Sequence, residues 1–373
     1  MKSCDVLIVG GGPAGSTCAW KLRQAGLDVC VLDKSRFPRD KVCTGWVTPQ
    51  VLQSLHIRPE EYARDRVLQP ISAFRTGVIG GSALETSYDE PVSYGIRRCE
   101  FDHYLLDRSG ARLYLGESAK DIKRTSEGWV VNGHIQTRLL IGAGGHFCPV
   151  ARLLGEVPRN EPVIAAQETE FEMSVAQRKS CPVRGEMPEL YFCPDIQGYG
   201  WCFRKGDFLN IGLGRRDSHK LSAHVADFCV WLQETGRIPW DLTRSFKGHA
   251  YLVYGQARRK RTDDGMLLIG DAAGLAYKES GEGIRPAIES GLLAAQVVSS
   301  CAGKYAAAQL SRYEDLLQAR FGQPSFIDLS GLLPSALTQA IARRLFASRG
   351  FTKRVLIERF FLRLHRPPLQ AES

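Results

Sequence analysis

The chain has 373 residues, 44% of them apolar and 24% charged, with a formal charge of +9, which are globular proportions and exclude a fibrous or largely disordered chain. Eleven cysteines are scattered without CxxC or Cys/His spacing, which excludes a disulfide framework and a zinc site and fits a reducing cytoplasm. The sequence enters strand-like residues at Asp5, leaving no room for a signal peptide, and lacks a run of ~18 apolar residues long enough to span a membrane, so a cytoplasmic, soluble or membrane-peripheral protein is expected.

The first element is DVLIV (Asp5 to Val9), a short apolar run of strand character, followed by GGGPAG with Gly10, Gly12 and Gly15 in the GxGxxG register. Ala14, Cys18, Ala19 and Leu22 recur at helical spacing, Gly26 stops that helix, and DVCVL (Asp28 to Leu32) is a second strand ending at Asp33. A GxGxxG placed between strand and helix, with an acid closing the next strand, has the context of a dinucleotide fingerprint. Gly10 permits the tight turn, Gly12 lets the backbone reach a pyrophosphate, Gly15 lets helix and strand pack, and the helix N-terminus adds partial positive charge. Asp33 is placed for the ribose hydroxyls of an adenosine. The fingerprint alone leaves NAD and FAD both open.

Arg66 to Pro91 and Glu161 to Gly214 are rich in alternating, strand-like sequence, including AAQETEFEM and FLNIGLG, and predict a sheet lying over the nucleotide domain. In GYGWCFRKGD (Gly198 to Asp207), Tyr199, Trp201 and Phe203 share one face, either as sheet core or as a substrate wall. The apolar run Met266 to Ile269 then meets GDAAGLAYKESGEGI (Gly270 to Ile284), an acid followed by small residues that let a backbone approach something flat or charged. Pro286 suits the first turn of a helix beyond it. From Lys304 the chain reads as helical. In FTKRVLIERFFLRLHR, Val355, Ile357, Phe360, Phe361 and Leu364 gather on one side, ringed by Lys353, Arg354, Arg359, Arg363 and Arg366. Between Ile341 and Arg366 eight Lys or Arg face only Glu358. Such a segment docks on the protein's own core or meets an anionic lipid surface; no recognised nucleic-acid module surrounds it.

FPRDKVCTG (Phe37 to Gly45) resembles the segment after the second strand in geranylgeranyl reductase-like flavoproteins, relatives of the para-hydroxybenzoate hydroxylase fold. RRCEFD (Arg97 to Asp102) resembles the family's Arg-x-x-Phe-Asp, with Arg98 at the arginine position, and LLIGAGG (Leu139 to Gly145), with Arg152 beyond it, resembles the following strand-turn. GDAAG and GEGI complete the set in the family's order, over roughly residues 5 to 300. The resemblance implies FAD, with Asp271 on the ribityl chain and Gly281 to Ile284 beside the isoalloxazine, where a helix N-terminus stabilises negative charge on the reduced ring. Cys43 matches a cysteine that these reductases place near the flavin, although Thr44 stands where their glycine follows and Gly45 comes one residue later. The chain departs from the pattern at Lys278, where proline is usual, at Gly144, where Ala-Asp-Gly has its acid, and at Arg204, where Tyr-x-Trp-x-Phe-Pro has its proline.

These readings together predict an α/β protein: a Rossmann-type FAD-binding domain (1–65, 92–160 and 250–303) interleaved with an antiparallel-sheet substrate domain (66–91 and 161–249), and a helical C-terminal region (304–373). The expected cofactor-binding residues are Gly10, Gly12, Ala14, Gly15, Asp33, Lys34, Cys43, Gly45, Arg98, Ala119, Asp271, Gly281, Gly283 and Ile284. Cys43, Trp201, Tyr277 and Lys278 are the expected catalytic residues, and no metal is expected. The implied function is an FAD-dependent oxidoreductase that passes hydride from reduced flavin to a double bond of a bulky, apolar, isoprenoid-like substrate. The alternative is a flavin-dependent monooxygenase acting on an aromatic or macromolecular substrate; a flavin-binding protein without turnover is a third class. The partners implied are an apolar or lipid substrate, an external electron donor (NAD(P)H, reduced ferredoxin or flavin) and peripheral membrane contact, with nucleic acid disfavoured.

Overall fold

The computed structural model describes residues 1–155, 163–217, 219–242, 244–256, 259–278, 280–323, 341 and 344–370. Its parallel sheet is built on Lys2–Val9, which pairs with Ile135–Gly142 on one side and Val29–Asp33 on the other. Met266–Leu268 and Arg112–Leu115 extend the sheet outward in parallel, and the hairpin Ile122–Thr125 and Gly128–Val131 attaches to Ile135–Gly142. Val6, Leu7, Ile8, Val29, Leu139, Leu140 and Leu267 are wholly buried, as strands covered on both faces require; their runs are therefore continuously apolar rather than alternating. The chain leaves Val9 for a strand on one side while the return strand lies on the other. This opens a crevice at the strands' carboxyl ends, where open α/β sheets bind ligands.

A second sheet has seven strands in the order Lys247–Leu252, Val163–Glu172, Phe208–Arg215, Gly198–Lys205, Glu189–Phe192, Ala73–Val78 and Ala83–Ser87. Its pairs are antiparallel except Glu189–Phe192 against Ala73–Val78, which run in parallel. The helix Leu221–Glu234 covers one face, burying Phe228, Val225 and Leu232 against Phe171, Ile211 and Leu213. The other face carries Phe74, Leu190, Trp201 and Phe203. Leu68–Ile71, expected within this sheet, instead joins Trp46–Val47 and Ser93–Ile96 in a separate three-stranded sheet. The chain changes sheets at Ser72 and Ala73, whose N–H groups both donate to the Glu186 carbonyl, at 3.1 and 3.0 Å.

The C-terminal helices include Arg312–Phe321, Arg349–Phe351 and a stretch of π-type winding, Thr352–Phe361; the expected helical residues 324–340 lie outside the described residues. The last stretch buries Thr352, Leu356, Ile357, Phe361 and Leu362, on which the face expected from a 3.6-residue period is corrected: Leu364 is exposed, and Val355 and Phe360 are half-buried. π winding bonds i to i+5, as Leu362 N–H to Ile357 carbonyl does, so residues five apart share the buried side. That side docks on the protein itself: Phe361 stacks on Trp46 at 5.6 Å and meets Tyr199 edge-on at 5.5 Å. Among the described residues no helix is long and apolar enough to cross a membrane.

Candidate active site

A cavity of about 1130 Å³ runs from the carboxyl end of the parallel sheet to the aromatic face of the second sheet. It exceeds the ~300–1,000 Å³ usual for a small-molecule pocket, leaving room for a dinucleotide and a second molecule. At its nucleotide end, Gly10 and Gly15 are fixed by close approach: a Cβ on Gly10 would lie 2.3 Å from the Ala143 carbonyl oxygen, and one on Gly15 1.9 Å from that of Gly10. Gly12 starts the helix Pro13–Gln24 without a side-chain cap, so the N-terminus is left open to the cavity. Asp33 accepts the N–H of Gly11 at 2.7 Å and of Ser35 at 2.8 Å, and Asp33 and Lys34 both line the cavity.

Two guanidinium groups stand over this end on one buried carboxylate. Arg98 makes a bidentate pair with Asp102, both bonds at 2.8 Å, and Arg39 reaches the same carboxylate at 3.2 Å. Burial works against the Arg98 cation, but Asp102 more than offsets it, so Arg98 is held above its ordinary pKa. Two cations on one anion leave net positive charge at the cavity wall. Arg39 Nη2 lies 3.5 Å from where a Gly12 Cβ would be, and its Nη1 is buried with no hydrogen-bond partner among the described residues. An orphaned donor beside a bare helix N-terminus fits a pyrophosphate.

Midway along the cavity Asp271 meets His249 at 3.6 Å, and Lys41 approaches the His249 ring nitrogens at 3.0 and 3.2 Å. Burial pulls the Lys41 ammonium down to about 8, with Asp271 opposing. It also lowers His249. Burial pushes Asp271 up, but His249, Lys41 and Arg98 outweigh it and hold the carboxyl below its ordinary range. The helix Ile284–Ser300 begins at Gly283 and turns its N-terminus to the cavity, where Gly281, Gly283 and Ile284 are lining residues. Gly281 has φ +71°, and a Cβ there would lie 2.2 Å from Tyr251 Oη, so only glycine lets this loop pass the tyrosine.

The far end is aromatic. Tyr199 and Trp201 face the cavity with Phe192, Phe346, Leu356 and Phe360, so the alternation in GYGWCF builds a cavity wall. Tyr199 Oη donates to the Ser280 carbonyl at 2.7 Å, and Trp201 Nε1 to Asn210 Oδ1 at 2.7 Å. Cys43 lines the cavity between the two ends. Its loop is held from the sheet beneath: Glu168 Oε1 accepts the Cys43 N–H at 2.5 Å, Asn210 Nδ2 donates to the Cys43 carbonyl at 3.3 Å, and the buried Lys205 ammonium donates to the Thr44 carbonyl at 2.9 Å.

Of the sequence-predicted residues, Gly10, Gly12, Ala14, Asp33, Lys34, Cys43, Arg98, Trp201, Asp271, Lys278, Gly281, Gly283 and Ile284 line this one cavity. The others stand back from it. Gly15 serves helix packing, and Gly45 passes the Ile96 carbonyl, 2.2 Å from a notional Cβ. Ala119 packs on the core of the parallel sheet. Tyr277 is buried, with the Arg363 guanidinium 3.6 Å over its ring and Phe321 at 6.0 Å. Glu168, His249 and Tyr251 were not anticipated as site residues. The one signal for Glu168 is its place in AAQETEFEM, where acids occupy the strand face shared with Ala166.

The region 5–77 matches the family described as FAD dependent oxidoreductase. Menaquinone reductase of Mycobacterium tuberculosis is 31% identical over 320 residues, covering 80% of this chain and 77% of its own length. The chain belongs to the geranylgeranyl reductase-like family of FAD-dependent oxidoreductases. Digeranylgeranylglycerophospholipid reductase of Methanocaldococcus jannaschii is 27% identical over 312 residues, 79% of this chain and 76% of that one. A geranylgeranyl bacteriochlorophyll reductase-like protein of Thermoplasma acidophilum has the same fold, with TM-score 0.74 and 21% identity over 96% of this chain and 91% of that one. The cofactor is FAD, and the cradle fits it: helix N-terminus, orphaned Arg39 donor and Asp33 at the adenosine end. Reduced FAD supplies two electrons as a hydride; what the chain supplies is orientation, charge and exclusion of water.

Proposed function

We propose that this protein reduces a carbon–carbon double bond of an isoprenoid lipid. The observation that carries the reading is the aromatic and aliphatic far end of the cavity, which lies in continuity with the FAD cradle and is walled by Tyr199, Trp201, Leu356 and Phe360. A long apolar chain is recognised by such a surface, and few polar groups there compete for it. Asp33, Arg39 and the Gly10–Gly15 turn hold the dinucleotide; Asp271 meets the ribityl chain and the N-terminus of Ile284–Ser300 the redox-active ring; Cys43 and Trp201 shape the substrate side, with Lys278 at the border. The names of the relatives, which include reductases of menaquinone and of digeranylgeranyl phospholipid, support the same substrate class.

The mouth of the cavity supports contact with an anionic lipid surface. Phe346 and Phe351 line the cavity together with Leu345, which is exposed, and Arg344, Arg349, Lys353, Arg354 and Arg359 are exposed on the adjoining helices. A basic rim around an apolar opening attracts anionic headgroups while the substrate chain slides inward. The deciding experiment is anaerobic. FAD-loaded protein is reduced with dithionite, and a polyprenyl quinol or unsaturated isoprenoid phospholipid is added; stoichiometric flavin reoxidation with a product whose prenyl chain is two hydrogens heavier is expected. Reoxidation only on admission of oxygen, with a hydroxylated product, would replace this reading with the monooxygenase one.

A further inference from the structure

Glu168 lies on a strand of the second sheet, between Gly212 and Lys247 on its neighbours, and is 5% exposed. Its Oε1 holds the Cys43 N–H, whereas its Oε2 is buried with no hydrogen-bond partner among the described residues. Behind the Cys43 loop is a second, polar cleft of about 80 Å³, room for a short file of waters. Asp40 to Cys43, Arg98 and Glu168 line both this cleft and the main cavity; the loop with Arg98 and Glu168 is therefore the partition between the two.

We propose that Glu168 is the acid through which the proton of the reduction enters the cavity, recharged from water in the cleft behind Cys43. The proposal rests on the double-bond reduction given above. That reaction adds a hydride to one alkene carbon at the expense of reduced flavin, which is oxidised by two electrons. A proton must then form the second C–H bond. Glu168 supplies it, is left as carboxylate, and regains a proton from the cleft before the next turnover.

The polar groups facing Glu168 are Glu170 on its own strand, Asn210 on the adjacent strand, Lys205 one strand further out, and the Cys43 N–H. Asp40, Lys41, Arg97, Arg98, Cys99 and Lys247 also line the cleft. Burial raises the carboxyl to about 7, with Glu170 adding to it and the Cys43 N–H, Lys205 and Asn210 opposing, the direction that suits a general acid near neutral pH. Glu282, also raised to about 7 by burial, is not among the lining residues of the main cavity.

Glu168→Gln keeps an acceptor for the Cys43 N–H and removes the proton. With FAD-loaded protein, reduction by dithionite should be unchanged, while single-turnover reoxidation by the polyprenyl acceptor falls at least ~100-fold, the usual scale of general-acid catalysis. The wild-type rate should fall about tenfold per pH unit above ~7.5, and Glu168→Asp should restore part of the rate with a similar profile. A readout independent of turnover is the infrared carbonyl band of a protonated buried carboxyl, which should titrate near neutral pH in wild type and be missing in Glu168→Gln. An acceptor inactive with wild type would overturn the double-bond reading, whereas active wild type with an equally fast Glu168→Gln, or no titrating band lost in that variant, would overturn the role of Glu168.

Discussion

Replacing Asp102 with Asn tests whether the charge cradle is one unit. Asp102 is fully buried and takes both bonds from Arg98 at 2.8 Å and the contact from Arg39 at 3.2 Å. Asn keeps one acceptor, turns an N–H₂ towards a guanidinium, and leaves two neighbouring cations without their shared anion. Removing one partner of a buried pair costs about 3–5 kcal/mol, because the remaining charge cannot return to water. Unfolding entropy of ~2.1 cal/mol/K per residue gives about 0.8 kcal/mol/K for 373 residues, so the melting temperature of the FAD-free protein should drop by roughly 4–6 °C. FAD affinity should fall too, since Arg39 loses the contact that fixes it beside Gly12. Circular dichroism melts of the apoprotein and fluorescence titration with FAD read the two effects separately. An apoprotein melting within about 1 °C of wild type would refute the reasoning and show the ion cluster to be worth nothing in the fold.

Asp33→Ala should lower the apoprotein melt by a few degrees, because the N–H groups of Gly11 and Ser35 lose their acceptor, and should in addition weaken FAD by about 1.5–3 kcal/mol for each charge-assisted bond lost; an unaltered dissociation constant in the same titration would mean the acid is misassigned. Lys41, held down at about 8 by burial, should regain its proton when the anionic dinucleotide binds. Binding then takes up a proton above that pH, so FAD affinity falls as pH rises through 8, and Lys41→Met should flatten the profile. Arg349→Glu, Lys353→Glu, Arg354→Glu and Arg359→Glu together should abolish cosedimentation with anionic vesicles, which in wild type should weaken steeply with salt; undiminished cosedimentation would place the lipid contact elsewhere. Cys43→Ser should keep FAD, because the loop is held through its backbone, yet shift the flavin spectrum and slow transfer to the acceptor; a wild-type spectrum and rate would make Cys43 a packing residue.

The parallel sheet and its glycine turn were legible because their causes are local. A continuous apolar run, GxGxxG and a closing acid are contiguous in sequence, and each follows from backbone geometry at one turn. The C-terminal segment shows the limit of periodicity. Its apolar residues predicted a stripe with period 3.6, but the helix is wound so that Leu356 and Phe361, and Ile357 and Leu362, share the buried side. The choice between docking and exposure was thus set by winding and by the aromatic surface of Trp46 and Tyr199, neither of which is encoded in the segment itself. Tyr277 was chosen for its place in the motif, yet the backbone turn that brings Gly281 to the cavity sends its ring the other way, under Arg363.

Glu168 was hidden for a related reason. In AAQETEFEM the acids look like the solvent side of a half-buried strand, and alternation alone assigns them outward. The assignment reverses because the face they share with Ala166 is covered by a segment more than a hundred residues earlier, the Cys43 loop. A buried carboxylate there would be costly without compensation, and the fold provides it across strands distant in sequence: Lys205 pairs with Glu170, Asn210 bonds both Glu170 and the Cys43 carbonyl, and the Cys43 N–H closes on Glu168. The same contacts that make the acid tolerable also fix the loop against the cavity. On the proposed reaction, substrate-side chemistry falls to a polar patch in the middle of an otherwise aromatic sheet face, and the residue that was legible, Cys43, owes its position to the ones that were not.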